Sequence, residues 1–410
     1  MKNFLKIILV SPLFWAISCS SDDTGGREIP NAKSIVLKPE FEKKMDTNNL
    51  FAIDLFRSTV EHSVGNVLVS PLSVNMVLNM AWNGADGVTG SEMQQMLGNK
   101  GYTLDQINEY SKSLREALLS VDPSTELSIA NSVWVAKNFS LKESFIKVNQ
   151  DNYDAVVKEV DFSSPSALQE INAWCSERTK GKITKALDEL SLYTKLALVN
   201  ALYFKGQWRE RFDVKSTIDE PFTNENGENS TVKMMAQESH YAYAENENWR
   251  CVSLPYGNKA FSMLVLLPNN EKNLSDVLPT LTADSWNGIV KMLSTRKILL
   301  KLPRFKAEYA YEMSKAILPA MGMKQAFDPE RANFSKICLG PLYISQVVHK
   351  TFVEVNEEGT EAAATTVAAW ELTSVDPESA IDFFVNQPFV YAICENSTGT
   401  ILFIGKVVSL

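Results

Sequence analysis

Apolar and polar positions follow two periods along this chain. Leu72, Val74, Met76, Val77, Leu78, Met80 and Ala81 cover most of a helix circumference, which predicts a central helix covered on nearly every side. Ser70-Pro71 starts that helix with an N-cap side chain and a proline at the first helical position, and Gly84 offers a stop. Leu104, Ile107, Leu114 and Leu118 recur on one helical face, as do Leu168, Ile171, Trp174 and Cys175 up to Gly181, so both stretches predict surface helices. Short apolar runs with turn residues near their ends predict strands at Leu127 to Val135, Leu196 to Phe204, Phe261 to Leu267, Ile298 to Leu302, Phe389 to Cys394 and Ile401 to Val408. Helices dominate the first half and strands the second, which predicts an α+β fold with large antiparallel or mixed sheets.

A further apolar run, Tyr343 to Val355, leads into Glu357-Glu358-Gly359-Thr360-Glu361-Ala362-Ala363-Ala364-Thr365-Thr366 and then a loop reaching about Ile381. A structureless stretch of that length inside a compact domain is uncommon, and is usually functional or disordered. Taken as an extended strand, its even positions are Thr360, Ala362, Ala364, Thr366, Ala368, Trp370 and Leu372, with no charge among them. Both later carboxylates, Glu361 and Glu371, fall on the other face. One face could therefore be buried, although the same composition also suits a flexible linker or a helix. The neighbouring Glu357 and Glu358 point to opposite sides of an extended chain, which favours a solvated charge run over an acid/base pair.

With 410 residues, 45% hydrophobic and 22% charged, the chain has ample apolar content for a large core. No Pro/Gly/Ser-rich linker, repeat or low-complexity tract follows residue 40, so one large domain is expected over 40–410. A net charge of -9 and the lack of a basic stripe argue against nucleic acid as a partner. Three histidines occur, His62, His240 and His349, without a zinc-protease motif, a nucleophile elbow or a glycine-rich phosphate loop before a helix. Cys175, Cys251, Cys338 and Cys394 are far apart and lack metal-binding spacing, so buried free thiols are expected. No cofactor, metal or catalytic residue is expected.

Residues 1–18 carry Lys2 and Lys6 and then an apolar stretch too short to span a membrane, which predicts a signal peptide. Its end, Ala16-Ile17-Ser18-Cys19, resembles a bacterial lipobox, and Ser20-Ser21-Asp22-Asp23 resembles the acidic export tag of Bacteroidetes surface lipoproteins. The resemblance implies lipidation of Cys19, a flexible tether over 19–39, and a protein exported to the outer membrane and exposed on the cell surface; soluble secretion is the alternative. Removing the leader takes the net charge from -9 to -11.

Six blocks occur in the order found in the serpin family: Asn66-Val67-Leu68-Val69-Ser70-Pro71-Leu72-Ser73; Leu198-Val199-Asn200-Ala201-Leu202-Tyr203-Phe204-Lys205-Gly206-Gln207-Trp208; Leu254-Pro255-Tyr256 with Ser262-Met263-Leu264; Leu302-Pro303-Arg304-Phe305; His349-Lys350; and Pro388-Phe389 with Leu402-Phe403-Ile404-Gly405-Lys406. Residues 40 to 410 thus resemble a serpin. The resemblance implies a main sheet that admits a reactive loop (about 357–381) as an extra strand, two smaller sheets and about eight to nine helices. It also implies a monomer that is an inhibitor rather than an enzyme. The mechanism the resemblance implies is that a protease attacks the loop, is held as an acyl-enzyme, and is dragged along when the hinge end inserts.

By the same resemblance, the hinge runs from Glu357 to Thr366 with Gly359 as its pivot. Ser70, Ser73, Asn200 and His349 match the polar cluster beneath the sheet's opening, and Trp208 matches the aromatic at its top. Counting from the hinge glycine places the reactive bond at Thr373-Ser374, with Leu372 and Trp370 as neighbouring candidates. A threonine there suits an elastase-like or subtilisin-like serine endopeptidase; the neighbouring bonds would suit chymotrypsin-like or papain-like enzymes. A non-inhibitory serpin-fold binding protein or chaperone on the cell surface is the alternative function.

Overall fold

The computed structural model describes residues 30–137, 139–269, 272–360 and 379–410. Among these, the helices are α1 (Glu42–Glu61), α2 (Pro71–Trp82), α3 (Gly87–Met96), α4 (Leu104–Ser120), α5 (Glu143–Tyr153), α6 (Pro165–Arg178), α7 (Leu274–Val277), α8 (Ala283–Met292) and α9 (Ile317–Ala320). The strands are β1 (Val67–Val69), β2 (Glu126–Ala136), β3 (Val156–Val160), β4 (Leu196–Gln207), β5 (Ile218–Thr223), β6 (Asn229–Glu245), β7 (Trp249–Pro255), β8 (Phe261–Pro268), β9 (Ser294–Pro303), β10 (Phe305–Glu312), β11 (Gln346–Asn356), β12 (Gly359–Thr360), β13 (Ile381–Phe384), β14 (Phe389–Glu395) and β15 (Ile401–Val407).

Helix α2 is central, as its all-round apolar surface predicts: every residue from Pro71 to Trp82 is buried. The Ser70 hydroxyl accepts the Ser73 N–H at 3.4 Å to cap it. Its end differs from the expectation, because Asn83 closes the helix and Gly84 answers to packing. A Cβ on Gly84 would lie 2.1 Å from the Ile337 side chain, so absence of a side chain there lets a neighbouring segment approach.

The main sheet runs β10-β11-β12-β4-β2-β3 and mixes parallel with antiparallel pairs. A second, nine-stranded sheet contains β1, β15, β14, β8, β7, β6, β9 and β13, with β5 paired to β6. The two smaller sheets expected from the resemblance are joined here, because the 17-residue β6 pairs with β5 and β9 and then with β7. The apolar runs of β8, β14 and β15 are buried on both faces, which explains their lack of alternation.

One seam of the main sheet positions everything that follows. Strands β11 and β4 pair directly and in parallel from Gln346 opposite Ala197 to Thr351 opposite Leu202. Beyond Thr351 and Leu202 they part, and β12 fills the fork. Gly359 then lies opposite both Asn356 and Gln207, and Thr360 opposite both Val355 and Gly206.

Candidate functional site

Gly359 and Thr360, seated in the split sheet, form the upper part of the site. Gly359 has φ +147°, and a Cβ on it would sit 2.0 Å from the Gly206 carbonyl oxygen, so glycine is required by both backbone and space. Thr360 is fully buried, and its hydroxyl meets the Tyr256 hydroxyl at 2.6 Å. The Tyr256 ring stacks on Trp208 with centroids 4.5 Å apart. Trp208 holds the chain entering the fork on two sides: its ring N–H donates to the Asn356 carbonyl and its backbone N–H to the Glu358 carbonyl, each at 2.8 Å.

Glu357 corrects the reading of a solvated charge run. Its side chain is 5% exposed and accepts hydrogen bonds through Oε1 from Arg304 Nε, at 2.8 Å, and from Thr217. Burial works against ionisation here, but the Arg304 guanidinium and the Thr217 hydroxyl overcome it and hold the carboxyl below its ordinary range. Glu358 faces Arg211 at 3.7 Å. Adjacent carboxylates therefore do point apart, and each finds a cation.

The lower part of the site lies where the seam is still closed. His349 and Asn200 are direct partners across β11 and β4. His349 Nε2 accepts the Ser70 N–H at 2.8 Å, which ties the seam to the start of α2. Burial pushes the imidazole down to about 3, so it is neutral at physiological pH. Asn200 donates to Asn131 Oδ1 at 2.5 Å, Asn131 donates to the Tyr153 carbonyl, and the Tyr153 hydroxyl donates to Asn108 at 2.8 Å. Ser73 Oγ, Asn75 Nδ2, Asn200 Oδ1 and His349 Nδ1 are buried without a hydrogen-bond partner among the described residues. Two of these, Asn200 Oδ1 and His349 Nδ1, belong to partners across the seam itself, and each carries an unrecovered desolvation penalty in its closed form.

Of the residues singled out in the sequence, Ser70, Asn200 and His349 meet at the closed seam and Ser73 is bonded to Ser70 in the cap of α2, while Trp208, Glu357, Glu358, Gly359 and Thr360 surround the fork. Cys19, Glu361, Ala362, Ala363, Ala364, Thr365, Thr366, Trp370, Leu372, Thr373 and Ser374 lie outside the described residues. Sequence reasoning missed Tyr256, Arg304, Thr217 and Asn131. Tyr256 and Arg304 stand within the family-like blocks, and Arg304 could have been sought as the partner of an acidic hinge. Cys175, Cys251, Cys338 and Cys394 are buried and free. No group of three or more metal-ligating side chains occurs among the described residues, and no helix among them is long and apolar enough to cross a membrane.

A large mixed sheet forked at one end, with Gly359 and Thr360 paired in the fork, defines the class of fold. Comparison with known proteins gives this class a family. The sequence model of serpins (serine protease inhibitors) matches residues 46–410. The chain is 34% identical to the leukocyte elastase inhibitor of Bos taurus over 381 residues, covering 90% of this chain and 100% of that protein. It is 35% identical to an uncharacterised serpin-like protein of Thermococcus kodakarensis, covering 93% and 89%. Native tengpin, a thermophilic serpin, superposes with a TM-score of 0.85 at 32% identity, covering 93% and 97%. Thyroxine-binding globulin in complex with thyroxine gives a TM-score of 0.80 at 28% identity, covering 90% and 99%. The chain belongs to the serpin family, and the family supports protease inhibition, without catalysis, as its activity.

Proposed function

We propose that this protein is a single-use inhibitor of a serine endopeptidase, trapped when the cleaved loop completes the strand that β12 has begun. The observation that carries this reading is the register of β12. Six residues on from Thr360 is Thr366; six back along β4 from Gly206 is Asn200, and six back along β11 from Val355 is His349. Continued insertion thus brings Thr366 opposite both, on the same face as Thr360, where Asn200 Oδ1 and His349 Nδ1 lack partners. A threonine hydroxyl is a donor and an acceptor, and suits that place.

In this reading the protease's serine oxygen attacks the Thr373 carbonyl. The Thr373-Ser374 amide breaks, the Ser374 amine leaves with a proton, and an ester joins Thr373 to the enzyme. Insertion of the 13 residues from Glu361 to Thr373 then leaves that ester about 43 Å along the sheet from Thr360, at ~3.3 Å per residue. On the order of a dozen or more new backbone hydrogen bonds, each worth a net ~0.5–1.5 kcal/mol, drive the movement. The dragged protease loses the geometry that water attack on the ester needs. Small inward residues at Ala362 and Ala364 let the strand enter, and the similarity to a leukocyte elastase inhibitor supports an elastase-like target for a threonine bond.

Incubation with elastase-like, subtilisin-like, trypsin-like, chymotrypsin-like and papain-like proteases tests this. The expected result is an adduct that survives boiling in detergent and a released fragment beginning at Ser374. Cleavage by every protease without an adduct overturns the inhibitor reading and leaves a non-inhibitory binding protein or chaperone. We further place the protein at a bacterial outer membrane through lipid on Cys19, on the strength of the leader and its lipobox-like end. Labelled fatty acid should enter the wild type and not Cys19→Ala; equal labelling refutes that placement.

A further inference from the structure

Tyr256 is held from several directions. Its ring is fully buried, stacked on Trp208 and set edge-on to Phe204 with centroids 5.2 Å apart. The turn that follows it is pinned to the end of β4, because the Gly257 N–H donates to the Gln207 carbonyl at 2.9 Å and Arg209 Nη1 donates to the Gly257 carbonyl at 3.1 Å. The next residue, Asn258, donates its side chain to the Val121 carbonyl and accepts the Ala32 N–H at its own carbonyl. This fixed phenol makes its one described hydrogen bond to Thr360.

Building on the inhibitor reading, we propose that Tyr256 is a positioning residue that seats Thr360 in the fork before any protease arrives, so that strand insertion is already nucleated. Starting an ordered segment fixes several dihedrals before hydrogen bonds repay them, whereas extension adds bonds residue by residue. Here Gly359 and Thr360 have passed that step, and β11 and β4 need only part further along a seam that is already open at one end. Trapping is a race between insertion and hydrolysis of the acyl-enzyme. A seated hinge gives insertion the earlier start.

Tyr256→Phe tests the proposal, since it keeps the ring stack and removes the hydroxyl. One neutral hydrogen bond of ~0.5–1.5 kcal/mol corresponds to roughly 2- to 12-fold in rate. The variant should consume several-fold more inhibitor molecules per protease trapped, while the rate of loop cleavage stays that of the wild type. In the uncleaved protein, amide hydrogen exchange at Gly359 and Thr360 should quicken by a similar factor. The double variant Tyr256→Phe/Thr360→Val should be no worse than Thr360→Val alone, because the two hydroxyls act as a pair. Unchanged stoichiometry in Tyr256→Phe, alongside a wild type that does trap protease, overturns the proposal, as does unchanged exchange at the two amides. A wild type that traps no protease instead overturns the inhibitor reading, and with it this role.

Discussion

Acid should loosen the seam through His349. The imidazole is fully buried and neutral, accepts the Ser70 N–H, and is held down to about 3 by burial, against an ordinary value of 6.5. A group depressed in the folded state gives stability that is complete above its unfolded pKa and is lost as pH falls towards the folded one. The window therefore runs from about pH 6.5 downward to 3. Each pH unit well inside it costs about 1.4 kcal/mol, so moving from pH 7 to pH 5 should remove about 2 kcal/mol through this residue alone. The comparison protein is His349→Gln, whose amide oxygen can accept the same N–H and does not titrate. Denaturant unfolding followed by tryptophan fluorescence, with Trp208 near the fork, gives the stability of each protein at pH 7, 6 and 5. The difference between them should shift in the variant's favour by about 2 kcal/mol. Parallel pH profiles would refute the argument that this imidazole stays neutral inside the seam.

Lys44, Ala362 and Arg304 each give a further measurable outcome. Lys44 is fully buried, donates to the Leu97 carbonyl, and is pushed by burial down to about 7. Its contribution is complete above about pH 10.5 and lost as pH falls through 7, so wild type should gain about 2 kcal/mol relative to Lys44→Met between pH 7 and 9, measured by urea unfolding; no relative gain would refute the lysine's burial as an uncharged amine. Ala362→Glu should fold normally yet turn the inhibitor into a substrate, because insertion would bury an unpaired carboxylate; unaltered adduct formation on a denaturing gel would sink the insertion argument. Arg304→Ala should leave the Glu357 carboxylate buried with Thr217 as its remaining side-chain partner, at a cost of about 1–3 kcal/mol in unfolding free energy, and Glu357→Gln in the same background should recover part of it.

Local structure was far easier to read in the sequence than the fork. Helix α2 was legible because its cap and its apolar surface are properties of consecutive residues, and β4, β8, β14 and β15 because runs of apolar residues need burial. Strand β6 was not legible: Glu238, Ser239 and His240 interrupt it, and its length comes from successive partners in β5, β9 and β7 rather than from its own pattern. Parity along the hinge separated charged from uncharged faces, but it could not say that pairing had already begun at Thr360. That pairing involves Tyr256, more than a hundred residues away, and a close approach to Gly206. Glu357 was misread for the same reason, since the cation that justifies its burial belongs to the segment before β10.

The four buried cysteines carry no cross-link, so no covalent bond among the described residues holds the forked form in place. In the proposed mechanism the inserted form lies lower in free energy, and only a barrier keeps the uncleaved protein from seeking it. Its durability towards insertion is then a half-life, separate from the free energy of unfolding that denaturant reports. Apparent melting temperatures should drift with scan rate, and storage life should shorten about 3- to 6-fold for each 10 °C of warming. Such a molecule ages from the moment it folds, whether or not a protease ever meets it.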